Sequence, residues 1–349
     1  MRLWGACLFV ASLLMLLPLQ SAVTACDCDF TATISLDDRL AGELANETFL
    51  YTELNLSERE SIKNILENSE KIQSILEYFG INEDGLMFND SLVIMINETD
   101  RYIMIPLNLT TGNQWNVTVN VTNEETNETT PMTFIGDFAA VNAYISGGEV
   151  INANWLEIEK IAGGLLYTLS NGNKTIDVAT SDELGIGVTS GGVTVSGVMW
   201  DTQDGNSTNE SATPPPQPTG FLDCMKNCLW NRTRELINML SIPIPMPIGG
   251  ALFLIVLGIA IGIIIKHFIE NHPVLGGALL GGSIIAPPVF TLGSCWNECN
   301  GSDLSSIDAD IYVSNEESII TYQTYADNVE TFTVTVDKNG EINVETGER

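Results

Sequence analysis

IGGALFLIVLGIAIGIII, residues 248–265, carries twelve strongly apolar side chains in eighteen positions and no charge. At roughly 0.3–0.6 kcal/mol each on a membrane-insertion scale, those side chains favour a bilayer by about 5 kcal/mol. Eighteen helical residues are also close to the length that crosses the hydrocarbon layer. The stretch therefore predicts a transmembrane helix. No charge occurs between Glu235 and Lys266, and Pro243, Pro245 and Pro247 end the preceding segment and set where the span begins.

Residues 274–292, VLGGALLGGSIIAPPVFTL, hold nine strongly apolar side chains, four glycines and the pair Pro287-Pro288. Between the two stretches, residues 266–273 carry Lys266, His267 and His272, the sign of a cytoplasmic turn. Each stretch holds one Gly-x-x-x-Gly, at Gly258/Gly262 and Gly277/Gly281, and the two motifs lie equally far from the middle of the turn. In an antiparallel hairpin they meet at one depth and let the backbones approach closely. The pattern predicts a two-span membrane protein with both flanking chains extracellular. Its rival is a single span followed by a Gly-rich segment of fusion-peptide type.

The cysteines fit the same picture. Of seven, Cys224/Cys228 and Cys295/Cys299 form two Cys-x-x-x-Cys motifs flanking the apolar region. Cysteines at i and i+4 share a helix face, so two such helices packed antiparallel predict Cys224–Cys299 and Cys228–Cys295 in an oxidising exterior. Pairing elsewhere is the alternative; a metal is not expected, because no histidine accompanies them. Leu229, Trp230, Leu236, Ile237 and Leu240 suit a helix within 221–247 lying at the membrane interface.

At the other end, Arg2, the apolar run Leu3–Leu19 and Val23-Thr24-Ala25 predict a signal peptide over 1–25, with an uncleaved anchor as the alternative. Val23-Thr24-Ala25-Cys26 also resembles a lipobox, which implies lipidation of Cys26. Thirteen Asn-x-Ser/Thr sequons follow, at Asn46, Asn55, Asn89, Asn97, Asn108, Asn116, Asn120, Asn127, Asn173, Asn206, Asn209, Asn231 and Asn300. Composition alone gives roughly five, so the excess points to glycosylation of translocated chain.

Residues 26–202 predict an α+β or mainly β ectodomain. Ser57-Glu58-Arg59-Glu60 reads as a capping box opening one long amphipathic helix that Gly80 stops after Phe79. Its stripe of Ile62, Ile65, Leu66, Ile72, Ile75, Leu76 and Phe79 packs on a sheet or serves a homo-oligomer. Strands are expected at 92–96, 102–107, 115–121, 132–135, 164–169, 175–178 and 193–200, the first two as a hairpin. Residues 203–220 form a Pro/Ser/Asn-rich stalk. Residues 293–349 form a small acidic β-rich tail, with strands at 319–325, 331–336 and 341–345 and a hairpin around Asp337-Lys338-Asn339-Gly340.

Charge narrows the function. Forty-five Asp and Glu face fourteen Lys and Arg, a net charge of −31. That excludes nucleic acid and docking on anionic lipid, and it suits a solvated, self-repelling surface or adaptation to high salt. The only two histidines, His267 and His272, lie in the turn, which removes Ser-His-Asp and Cys-His catalysis and histidine-held zinc from the rest. Neither phosphate-loop pattern occurs. No enzyme, cofactor or metal is expected. The expected function is a non-enzymatic, heavily glycosylated, membrane-anchored surface protein for binding, shielding or lateral assembly. Its partners are the lipid bilayer and other surface proteins or a receptor. Composition and layout also resemble an envelope protein of a haloarchaeal virus, which implies attachment or membrane fusion.

Overall fold

The structure, a computed structural model, describes residues 28–37, 48–50, 54–95, 98–109, 113, 115–181, 184–189, 192–201, 220–240, 287–300, 304–314, 317–325, 329–337 and 341–348. The described residues open with β1 (Cys28–Leu36), β2 (Thr48–Leu50), helices α1 (Leu56–Glu67) and α2 (Glu70–Tyr78), β3 (Leu92–Met95) and β4 (Arg101–Pro106). Next come β5 (Asn116–Asn123), β6 (Glu128–Ile135), β7 (Phe138–Ser146), β8 (Glu149–Ile161), β9 (Gly164–Ser170), β10 (Thr175–Ser181), β11 (Gly185–Thr189) and β12 (Gly192–Asp201). Helices α3 (Phe221–Leu240) and α4 (Pro287–Asn300) precede β13 (Ser306–Val313), β14 (Glu317–Tyr325), β15 (Val329–Asp337) and β16 (Ile342–Glu348).

All sixteen strands among the described residues join one sheet, in the order β16-β15-β14-β13-β1-β12-β10-β9-β8-β7-β4-β3-β2. A branch leaves β12 through β11 to β5 and ends on β6. β1 runs parallel to β13, and β11 parallel to β5; the other pairs are antiparallel. Pro131 sits inside β6, which pairs only with β5, and an edge strand tolerates the missing N–H. At the β7–β8 turn, Gly147 and Gly148 both take positive φ, as a two-residue hairpin loop requires.

Register places one buried face across nearly the whole sheet. Phe332 and Val334 of β15 stand opposite Tyr322 and Ile320 of β14, which in turn face Ala309 and Ile311 of β13. Through Phe30 and Ala32 the face continues to Met199, Val178, Tyr167, Ile158 and Ala140, all buried. Within it, Asn142 and Asn154 are directly opposed and buried, and the Asn142 amide donates to Asn154 Oδ1 at 2.9 Å. A one-residue slip of β7 on β8 would part the two amides.

Helices α3 and α4 cover this face. Met225, Leu229 and Thr233 of α3 and Leu292 and Trp296 of α4 are buried. Phe221 stacks edge-on to Trp296 at 5.1 Å and meets Phe332 at 6.5 Å. α3 lies against β16 and also reaches β8, while α4 rests on β13, so the sheet curves over the helix pair.

On the opposite face, α1 and α2 pack over β3, β4, β7 and β8. Ile62, Leu66, Ile72, Ile75 and Leu76 bury against Val93, Ile103, Ile105, Val141 and Trp155. β4 and β7 are therefore buried on both sides, and β7 shows no polar alternation until Ser146. After α2 the Schellman pattern appears: Gly80, at φ +65°, donates its N–H to the Glu77 carbonyl and Ile81 to that of Leu76.

Several expectations are corrected here. The single long helix is two helices. Asn68 turns its side chain onto Asn64 at the end of α1, and Ser69 starts α2, because short polar side chains compete with the helical backbone. The capping box is Asn55 with Glu58, two residues before the expected one, since Asn caps as well as Ser. The small tail is no separate sheet: β13 joins β1, and the fold is mostly β around one large mixed sheet.

The membrane reading is corrected too, both the helical hairpin and the two-span placement with an extracellular C-terminus. Among the described residues no helix is long and apolar enough to cross a membrane. Charges at Asp223, Lys226, Arg232 and Arg234 disqualify α3, and its Leu229 is buried within the protein, not laid on an interface. Of the second expected span only 287–292 is described, as the start of α4, whose Leu292 finds its apolar surroundings inside the fold. The stretches 248–265 and 274–286, with Gly258, Gly262, Gly277 and Gly281, lie outside the described residues. So do the signal segment with Cys26 and residues 203–219 of the expected stalk.

Candidate functional surface

Nine of the thirteen sequon asparagines are described: Asn55, Asn89, Asn108, Asn116, Asn120, Asn127, Asn173, Asn231 and Asn300. All nine are exposed, whereas Asn142 and Asn154, which lie in no sequon, are buried. The remaining four, Asn46, Asn97, Asn206 and Asn209, lie outside the described residues.

Local structure explains each exposure. Asn116 and Asn120 are four residues apart on β5, so they share one face, with exposed Thr118 between them. Asn127 closes the β5–β6 turn at φ +56°, a left-handed conformation that Asn tolerates better than most residues. Asn173 lies in the β9–β10 turn, where its N–H donates to Asn171 Oδ1, Asn231 stands on the outer side of α3, and Asn300 ends α4. Asn55 is the N-cap of α1; its Oδ1 accepts from Glu58 N at 3.0 Å, leaving Nδ2, the atom a glycan would take, free of that bond.

Asn89 and Asn108 line a groove of about 460 Å³ between α1 and residues 83–90. Leu56 and Met87 open onto it, 67% and 38% exposed, beside half-buried Phe88. The Lys63 ammonium lies 5.8 Å from the Phe88 ring centre. Arg59, Glu60 and Asp84 supply polar walls.

Two disulfides staple α3 to α4, Cys224 to Cys299 and Cys228 to Cys295, with Cα–Cα distances of 5.7 and 5.5 Å. These are the pairs that the two motifs align on antiparallel helices. Cys228 and Cys295 are buried, so the inner bond lies in the core. Cys28 is also disulfide-bonded.

Sequence reasoning passed over a carboxylate cluster. Glu157 and Glu159 alternate on β8, and register brings Thr168 of β9 and Asp177 of β10 into line with Glu157. Thr168 Oγ1 donates to Asp177 Oδ1 at 2.7 Å. Asp137, ahead of β7, accepts from Trp115 Nε1 at 2.6 Å and from Asn113 N at 2.7 Å. Tyr78 of α2 faces the same group, and burial with Glu157, Glu159 and Asp177 raises its phenol pKa. Burial, then Glu159, Asp137 and Asp177, push the Glu157 carboxyl up to about 7, and burial with Asp137 and Asp177 raises Glu159. The Trp-Leu-Glu-Ile-Glu-Lys alternation at 155–160 was the available signal.

A carboxyl whose folded pKa lies above its unfolded value binds protons more tightly when folded. Stability therefore falls as pH rises from about 4.5 to about 7, and the penalty stays in full above that. With solvent screening of this half-buried group, it amounts to roughly 1–2 kcal/mol. Glu157→Gln is expected to raise the urea midpoint at pH 8 and to flatten the slope between pH 5 and 7. An unchanged profile would place the titration elsewhere.

Among the described residues no three His, Cys, Asp or Glu side chains converge as a metal would require. No protein-family profile matches the chain, and no curated protein or solved structure is similar to it.

Proposed function

We infer that the chain is a translocated, N-glycosylated, non-enzymatic surface protein that binds, shields or assembles laterally at a cell or virion surface. One observation carries this reading: every sequon asparagine among the described residues is exposed, while buried asparagines carry no sequon. Oligosaccharyl transfer needs an accessible amide in translocated chain, and the acceptors are spread over both helix pairs and several turns. The two disulfides fit an oxidising compartment. The strongly acidic composition fits a surface that repels its neighbours and stays solvated. Its partners are other surface proteins or a receptor.

The test is glycopeptide mass spectrometry of the chain expressed with its leader in a host that glycosylates Asn-x-Ser/Thr. Most of the nine exposed sites are expected to be occupied. A translocated product with no sugar at any sequon would overturn the reading.

A further inference from the structure

We propose that the groove between α1 and residues 83–90 is occupied by the chain's own asparagine-linked glycans, those on Asn89 and Asn108. The inference rests on the glycosylation reading and deepens it at one place. Both acceptors line the groove itself, so each glycan is attached at its wall and has only to fold over to enter it. A volume near 460 Å³ lies within the roughly 300–1,000 Å³ that takes a small organic ligand, and a short oligosaccharide is of that size.

The chemistry of the walls matches a sugar. A pyranose has an apolar C–H face and a rim of hydroxyls. Leu56, Met87 and Phe88 offer an apolar floor that water otherwise meets, and Leu56 is the most exposed large hydrophobic residue in the described structure. Arg59, Glu60 and Asp84 bring donors and acceptors to the hydroxyls. A third acceptor, Asn55, adjoins Leu56 at the head of the helix. Seated there, the glycans remove apolar surface from water and close the groove to outside ligands.

Met87 reports on the seat directly, because peroxide oxidises an exposed thioether and a covered one slowly. Oxidation at Met87, read by peptide mass, is expected to be three- to tenfold slower in the glycosylated full chain than in Asn89→Gln/Asn108→Gln. Asn173→Gln, in the β9–β10 turn and not among the residues that line the groove, leaves the rate unchanged. Thr110→Ala keeps Asn108 and removes only its acceptor motif; combined with Asn89→Gln it gives the same acceleration, and it stands in should the double amide variant fail to fold. Equal rates with both sites occupied overturn the proposal. Sugar at other sequons but none at Asn89 and Asn108 overturns it too, leaving the functional reading intact. Sugar nowhere overturns both.

Discussion

Removing both bonds between α3 and α4 is expected to lower unfolding stability by about 7 kcal/mol, more than twice the loss from removing either one. The bonds span 75 and 67 residues, and the second is nested inside the first. By loop entropy, a closed loop of that length restricts the unfolded chain by about 4.5 kcal/mol. Once it is closed, the other bond closes only the few residues between Cys224 and Cys228 and between Cys295 and Cys299. That short ring contributes about 2.5 kcal/mol more. Cys224→Ala/Cys299→Ala and Cys228→Ala/Cys295→Ala should thus each cost about 2.5 kcal/mol, and the quadruple variant about 7. Urea titrations of the four proteins close the cycle. Strict additivity would show that the two bonds do not share one loop.

The second large effect is expected at Phe332, a fully buried ring on β15. Phe332→Ala should cost about 3–5 kcal/mol. The ring stands opposite Tyr322 in the sheet and meets Phe221, which itself packs on Trp296. One truncation therefore loosens β14, α3 and α4 together. Since β13 pairs with β1, the damage should spread to β1 as well. Native-state hydrogen exchange of the Ala32 and Thr33 amides is expected to quicken along with those of β14, in one cooperative step. Loss of protection confined to β14–β16 would instead mark those strands as an independent unit.

Features set by neighbours in sequence were legible beforehand. The β3–β4 hairpin around 97–100 and the β15–β16 hairpin both appear, because turn residues and alternation act locally. The cysteine spacing aligned the staple for the same reason: i and i+4 share a helix face whatever covers the helix. What failed depended on distant partners. β7 and β8 were both missed: burial on both faces of β7 and of residues 153–156 in β8 erases the alternation that marks a strand, and the alternation left at 155–160 is too short to stand out. The pairing of β1 with β13 leaves no mark in either strand.

The apolar residues of α3 were given to the membrane interface and residues 287–292 of α4 to a span, because an apolar surface looks alike whether lipid or a sheet covers it. Only the curved sheet decides in favour of protein. At the surface, sequons are explicit and were all seen. The carboxylates of Glu157, Asp137 and Asp177 were hidden among forty-five, since only cross-strand register brings them together.

The parallel junction of β1 with β13 sets a timetable for biogenesis. About 270 residues separate Leu36 from Ser306, so at roughly 5–20 residues per second the ribosome needs some 15–50 s to deliver the partner. Until then the opening strand waits with one flank bare, a template for strands of other nascent chains. A holding chaperone would meet that need, and slowing elongation should lengthen its hold on the young polypeptide.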